Sequence, residues 1–488
     1  MTHPPRRLLL LGAGPVPDGG SLHAPGVANR LLHFLLPALK AGHEALVLTI
    51  EPDATALDRD EPRPEERSRG ALRWRHLALT VEDLKSHPAI PSLVAAWAPE
   101  RVVGAGTLQA AARACALAAD APVWADFFGD PLAEIHARNE FLPPGPERLD
   151  STLLVWELML RTLLRADAFS VVSRRQRDAL LGQLALAGRL AAAPEARHPA
   201  GPPIEPMPCC LESLDDRPPP SADERARAFA SAGLPPAARV ALWSGGFNAW
   251  ADPATLVAGI ERAMARRPDL HLVATGGALP GYLARLFELF RERVDASPHR
   301  DRFHALGWLP LAEANRWLAL ADVALLTDRP CAETHLGARN RLLYHAAVGC
   351  PVVASTGSEV VAEMAAAGAL APFPSANPDA LAGEVLRLLE NDAERRRLGE
   401  AGRQFCRRQY LFEHTCAGFL DWVARASPAA PPAPDPSDPR QWIARYLTAW
   451  AQPGEADGGA RRPRLLGRLL ARLRAPNPRS PAEPPSHP

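Results

Sequence analysis

The chain is expected to be an α/β protein of two lobes, each a mainly parallel sheet covered by helices. Three observations predict this. Short apolar, β-branched runs alternate with segments of helical periodicity along most of the length. Glycine-rich turns follow several of those runs. The series breaks once, at 191–220, where Ala, Pro and acidic residues dominate, and then starts again. At 488 residues the chain also exceeds what one hydrophobic core usually covers.

The first series opens with the strand Leu8–Leu11. It continues through a glycine-rich loop, 12–26, a helix over Gly26–Ala41, a turn at Gly42-His43-Glu44 and a strand over Ala45–Ile50. Strand–helix–strand order of this kind favours parallel pairing. Residues 52–70, rich in charge and proline, read as a surface loop. Strands follow at Val102–Gly104, Val123–Phe127 and Ala168–Ser173, with helices at Leu108–Ala119, Leu153–Arg165 and Arg174–Leu186. After a helix at Ser221–Ala232, the second series places strands at Val240–Trp243, Leu270–Ala274, Phe303–Ala305, Val323–Leu326 and Val352–Ala354. Its helices are expected at Pro253–Ala265, Pro280–Arg293, Leu311–Leu320 and Ala338–Val348. Two such series describe Rossmann-like lobes facing each other across a cleft, with ligands beyond the carboxyl ends of the strands. The expected division is 1–190, a connection at 191–220, a second lobe at 221–410, a helix at 411–424, and a tail from 425 to 488.

Composition narrows the function. Lys plus Arg and Asp plus Glu each number 55, which argues against a broad polyanion-binding surface. Seven scattered cysteines, with no CxxC, no Cys/His ligand spacing and no HExxH, make a zinc site or a disulfide framework unexpected. The apolar run at 8–11 is too short for a signal peptide or a membrane span, so a cytoplasmic protein is expected. Residues 426–438 are proline-rich and read as a linker, and Gln441–Trp450 as one short helix. From Arg461 to Arg479 there are seven arginines and no acidic residue, with Leu465, Leu466, Leu469, Leu470 and Leu473 on one helical face. That pattern suits peripheral contact with an anionic membrane, docking on a protein, or no fixed structure.

Candidate chemistry gathers at the glycine turns. Ser244-Gly245-Gly246 follows a strand and precedes a helix; bare backbone there lets N–H groups approach a phosphate, or simply makes a tight turn. Glu333 precedes Arg339 and Arg341, which open the 338–348 helix. A helix mouth with arginines can hold an anion, and Arg339, nearer the mouth, is the preferred partner for phosphates. Glu333 can accept hydroxyl hydrogen bonds from a sugar or ribose. Gly276-Gly277 ends another strand, and Gly307-Trp308-Leu309 can border a base or pack within the lobe. In the first lobe, Gly26 permits close approach of a ligand and Arg30 lies one turn into its helix. Asp126 and Asp130 follow a strand end. Either can orient an acceptor hydroxyl or take its proton, or cap the next helix. His136 is a further polar candidate.

Taken together, WSGGFNAWADP at 243–253, GWLP at 307–310, ETHLGARNRLLYHAAVGCPVVAS at 333–355 and SRRQRDALLG at 173–182 carry a resemblance. Over about residues 8–424 the chain resembles the GT-B glycosyltransferases of the large retaining, nucleotide-sugar-dependent class known as family 4. The resemblance implies a first lobe for the acceptor and a second for the donor, joined again by a final helix at 411–424. It implies that Gly245 and Gly246 approach the donor phosphates, that Arg339 helps neutralise them, and that Glu333 is the acidic residue of the donor loop. The 307–309 backbone would border the nucleobase. It further implies sugar transfer to an acceptor hydroxyl in glycan or polysaccharide biosynthesis. The anomeric configuration would be retained, with no cofactor and no catalytic metal, and the nucleotide sugar would be a substrate. Three features depart from the pattern. Tyr344 stands where many relatives carry an acidic residue at the donor, His335 replaces a frequent Arg, and the usual Arg/Lys pair is absent near 244–250. A noncatalytic nucleotide-sugar-binding assembly subunit and a nucleotide-sugar epimerase are the competing readings.

Overall fold

In the computed structural model, residues 4–17, 26–51, 53–57, 62–190, 201–214, 220–279 and 283–426 are described. The tail beyond 426, with its expected linker, short helix and arginine-rich element, lies outside them, as do residues 18–25 of the first glycine-rich loop.

The first sheet contains β1 (Arg7–Ala13), β2 (Glu44–Ile50), β3 (Glu65–Arg69), β4 (Leu72–Leu79), β5 (Arg101–Gly104), β6 (Val123–Phe127), β7 (Ala168–Val171) and β8 (Ile204–Pro206). Their order is β3-β4-β2-β1-β5-β6-β7-β8, and only β3 runs antiparallel. The second sheet contains β9 (Arg239–Ser244), β10 (Leu270–Thr275), β11 (Phe303–Gly307), β12 (Val323–Leu326), β13 (Val352–Ser355) and β14 (Ala371–Phe373). It is wholly parallel in the order β11-β10-β9-β12-β13-β14.

Continuous apolar runs form these strands because both sheet faces are covered. In β1, Leu9 and Leu11 join Val102, Met159 and Leu163 on one face, whereas Leu8 and Leu10 join Leu31 and Phe34 on the other. The chain crosses back at its end. The helix Ala417–Arg425 sets Phe419 edge-on to Phe34 and Trp124, at 5.0 and 5.4 Å between centroids. Arg101 Nε donates to the Val423 carbonyl at 2.9 Å.

Four expectations are corrected. Residues 65–69 are not loop but a polar edge strand, paired with β4 across Gly70 at φ +61°. Within the expected connection, residues 204–206 form β8 of the first sheet. The helix expected over 280–293 runs from Arg285 to Asp295. The helix expected over 338–348 runs from Asn340 to Ala347, and a separate short helix, Ala332–Leu336, precedes it across Gly337. Arg339 is therefore the residue before the second helix, and Arg341 is the arginine in its first turn.

Candidate functional site

Three glycines end three neighbouring strands of the second sheet, all with positive φ: Gly245 at +97°, Gly276 at +125° and Gly307 at +70°. They stack as backbone on backbone. Gly245 N donates to Thr275 O at 2.6 Å and Gly276 N to Gly307 O at 2.7 Å. A Cβ on Gly276 would overlap the Gly245 carbonyl, and one on Gly246 would overlap Leu279. The Gly245 N–H is thus used in the turn, whereas the N–H groups of Gly246 and Gly277 have no hydrogen-bond partner among the described residues.

The two arginines divide their work, and not as expected. Arg339 is buried, with Nη1 and Nη2 donating to the Glu333 carboxylate at 3.1 and 2.9 Å and Nε 2.5 Å from Asp328. Two carboxylates already balance its charge, which leaves it poorly suited to neutralise a diphosphate. Arg341 forms no ion pair among the described residues. Its Nη2 donates to the Gly246 carbonyl at 2.7 Å, its guanidinium lies 4.7 Å over the Trp243 ring, and its buried Nη1 is unpartnered among the described residues. Burial pulls the Arg341 guanidinium down to about 10, so it stays charged at neutral pH. Burial pushes the Glu333 carboxyl up to about 7 against the pull of Arg339.

Trp308 is 43% exposed and its indole N–H donates to Ala278 O at 2.9 Å, which leaves a ring at the mouth of the glycine turns. Leu309 packs on the cluster of Phe229 and Trp317. Tyr344 also joins the core and borders a cavity of about 430 Å³ shared with Asn29, His33 and Glu212; burial pushes its phenol up.

In the first lobe, the expected carboxylates are occupied. Asp126 is fully buried and accepts from Arg30 Nε and Nη2 at 3.0 and 2.7 Å, from Ser170 Oγ at 2.6 Å and from Gly106 N at 3.0 Å. With both oxygens taken twice, it braces the helix Gly26–Lys40 against β6 and is no acceptor for a substrate proton. Asp130 caps the helix Pro131–Asn139 through Ala133 N and accepts from Gln183 Nε2, each at 2.8 Å. His136 is exposed on that helix. Gly26 opens the first helix opposite Asn340 of the second lobe, where an added Cβ would lie 3.5 Å from Asn340 Nδ2.

Sequence reasoning missed the groups that join the lobes. Glu359 accepts the backbone N–H groups of Arg174 and Arg175, each at 3.0 Å, at the amino end of the helix Arg174–Leu186. Arg174 pairs with Glu363 at 2.6 Å, and Ser173 Oγ donates to Leu336 O at 2.7 Å. Arg329 reaches Ala137 O at 3.1 Å and Glu140 at 2.5 Å. It also missed Glu134, half-buried on the 131–139 helix, whose carboxyl burial and the nearby Glu333 push up to about 8. Its only signal was an acidic residue one turn beyond Asp130. Among the described residues no group of three His, Cys, Asp or Glu could hold a metal ion, and no helix is long and apolar enough to cross a membrane.

Two parallel-sheet lobes closed on a cleft, with glycine turns at the carboxyl ends of the second sheet, define the GT-B fold of glycosyltransferases. Residues 259–421, within the second lobe and the start of the crossing helix, match the family described as glycosyl transferase-like. Solved structures agree in fold. Sucrose-phosphate synthase from Thermosynechococcus elongatus is similar at 18% identity and TM-score 0.59, over 85% of this chain and 98% of that one. Trehalose 6-phosphate synthase from Burkholderia multivorans is similar at 13% and 0.60, over 93% and 100%. HepE from Anabaena, solved in complex with UDP-glucose, is similar at 14% and 0.57, over 86% and 99%. No curated protein matches the chain by sequence.

Proposed function

We propose that the chain is a glycosyltransferase that moves a sugar from a nucleotide-diphosphate donor to an acceptor hydroxyl in glycan or glycoconjugate biosynthesis. The configuration is retained and no metal takes part. One observation carries the reading: Arg341, an arginine with no carboxylate partner among the described residues, anchored beneath the Gly245-Gly246 turn. The diphosphate lies there, against the Gly246 and Gly277 N–H groups, and the base lies along 307–309 beside Trp308. Breaking the glycosidic bond leaves negative charge on the diphosphate. These donors hold that charge more strongly than they hold the intact donor, which lowers the barrier. The first lobe supplies the acceptor surface, and closure through Glu359 and Arg329 excludes water from the reacting sugar. Arg339 serves to fix Glu333 and Asp328, and does not touch the phosphates.

A panel of nucleotide sugars tested for protection against thermal unfolding checks this directly. One or more UDP- or other nucleoside-diphosphate sugars raise the melting temperature; no shift from any of them contradicts the reading. A binding-only assembly subunit is the second reading, favoured by the fully occupied Asp126 and by Asp130, which is taken up in capping a helix. Donor protection without transfer or hydrolysis across acceptors would select it.

A further inference from the structure

Two carboxyls, one from each lobe, lie against bare glycine backbone on opposite walls of the cleft. Glu134 folds over Gly129, whose φ is +121° and whose added Cβ would overlap the Glu134 carboxyl. Glu333 folds over Gly337 in the same way. The helices that carry them, Pro131–Asn139 and Ala332–Leu336, pack directly on each other. The second-lobe carboxyl is held by Arg339. The Glu134 carboxyl makes no hydrogen bond or ion pair with any described residue.

We propose that Glu134 is a positioning residue of the cleft: a carboxyl that must carry a proton for the Asp328–Arg339–Glu333 group to close against the first lobe. The charges around it leave little alternative. Glu333 and Asp130 repel its anion. Arg339 attracts it, but is already balanced by two carboxylates. On the Ala332–Leu336 helix the other titratable group, His335, meets Arg175. The second helix packed on 131–139, Pro146–Arg165, keeps its buried Glu157 on Arg161. On its own helix His136 is exposed, and Arg138 is half-buried.

The sign follows from burial. In an open cleft the Glu134 carboxyl meets water and titrates near its ordinary 4.5; closed, it titrates at about 8. Closure therefore takes up a proton between those values. The closed form is fully favoured below 4.5 and weakens by up to tenfold for each pH unit until about 8. This inference concerns the lobes alone and stands apart from the proposed chemistry.

The test measures the distance between labels on Lys85 and Arg300, one on each lobe, in the full chain by pulsed electron spin resonance. In the wild type the closed distance dominates at pH 6, and a longer distance grows in between pH 6 and 8. In Glu134→Gln, which is never charged, the closed distance persists at pH 9, and Glu134→Ala behaves likewise. A wild-type distance that does not change from pH 6 to 9 overturns the proposal, as does a longer distance appearing equally in Glu134→Gln.

Discussion

Arg341 Nη2 donates to the Gly246 carbonyl at 2.7 Å, across 95 residues of sequence, and this bond ties the helix Asn340–Ala347 to the turn at the end of β9. The turn and the cation are thus one unit. Whatever binds above the glycines meets a guanidinium already fixed in place, so little side-chain entropy is lost on binding.

Gly276, in the middle of the glycine stack, should tolerate no side chain. Gly276→Ala places a Cβ on the Gly245 carbonyl and holds alanine at φ +125°. A loss of about 2–4 kcal/mol in stability is expected, since strain of roughly 1–3 kcal/mol adds to the overlap. Denaturant unfolding of the purified variant measures it.

Breaking the Arg30–Asp126 pair should damage folding. Asp126→Ala leaves Arg30 buried without its partner and costs about 3–5 kcal/mol. Its melting temperature falls accordingly, whereas the shape of the pH–activity profile of the surviving folded fraction is unchanged. A shifted profile would return Asp126 to the list of reacting groups.

Buried His345 should make the protein acid-sensitive. Both of its ring nitrogens lack hydrogen-bond partners among the described residues, and burial with nearby Arg341 pulls it down to about 3. The unfolded chain takes up a proton below 6.5 that the folded chain refuses. Stability therefore falls as pH drops from 6.5 towards 3, by up to about 1.4 kcal/mol per pH unit. His345→Leu should flatten that limb of the unfolding free energy against pH.

Glu359 should act as a latch. Glu359→Ala removes the carboxylate that caps the Arg174–Leu186 helix from the opposite lobe, at a cost of about 1 kcal/mol. Small-angle scattering should show a larger radius of gyration for this variant than for the wild type.

The fold was legible because buried parallel strands leave unmistakable apolar runs, as at Leu8–Leu11 and Val323–Leu326. The polar strand Glu65–Arg69 was not, because an edge strand needs no apolar face. Nor was β8, three residues long and ended by Pro206. The glycine turns were found from their place after strands. The roles of the charged residues were not, since their partners are set by the fold: Asp126 meets Arg30 from 96 residues away, and Glu359 meets a helix end 184 residues away. Arg339 and Arg341 differ by two positions, and only the break at Gly337 decides which one faces the carboxylates.

The central claim is that a nucleoside diphosphate binds at Gly245-Gly246 against Arg341. Calorimetric titration of UDP into the wild type and into Arg341→Gln tests it most directly. Loss of one charge-assisted contact, about 1.5–3 kcal/mol, predicts affinity weaker by roughly 10- to 150-fold in the variant. Equal affinity in the two proteins would contradict the account.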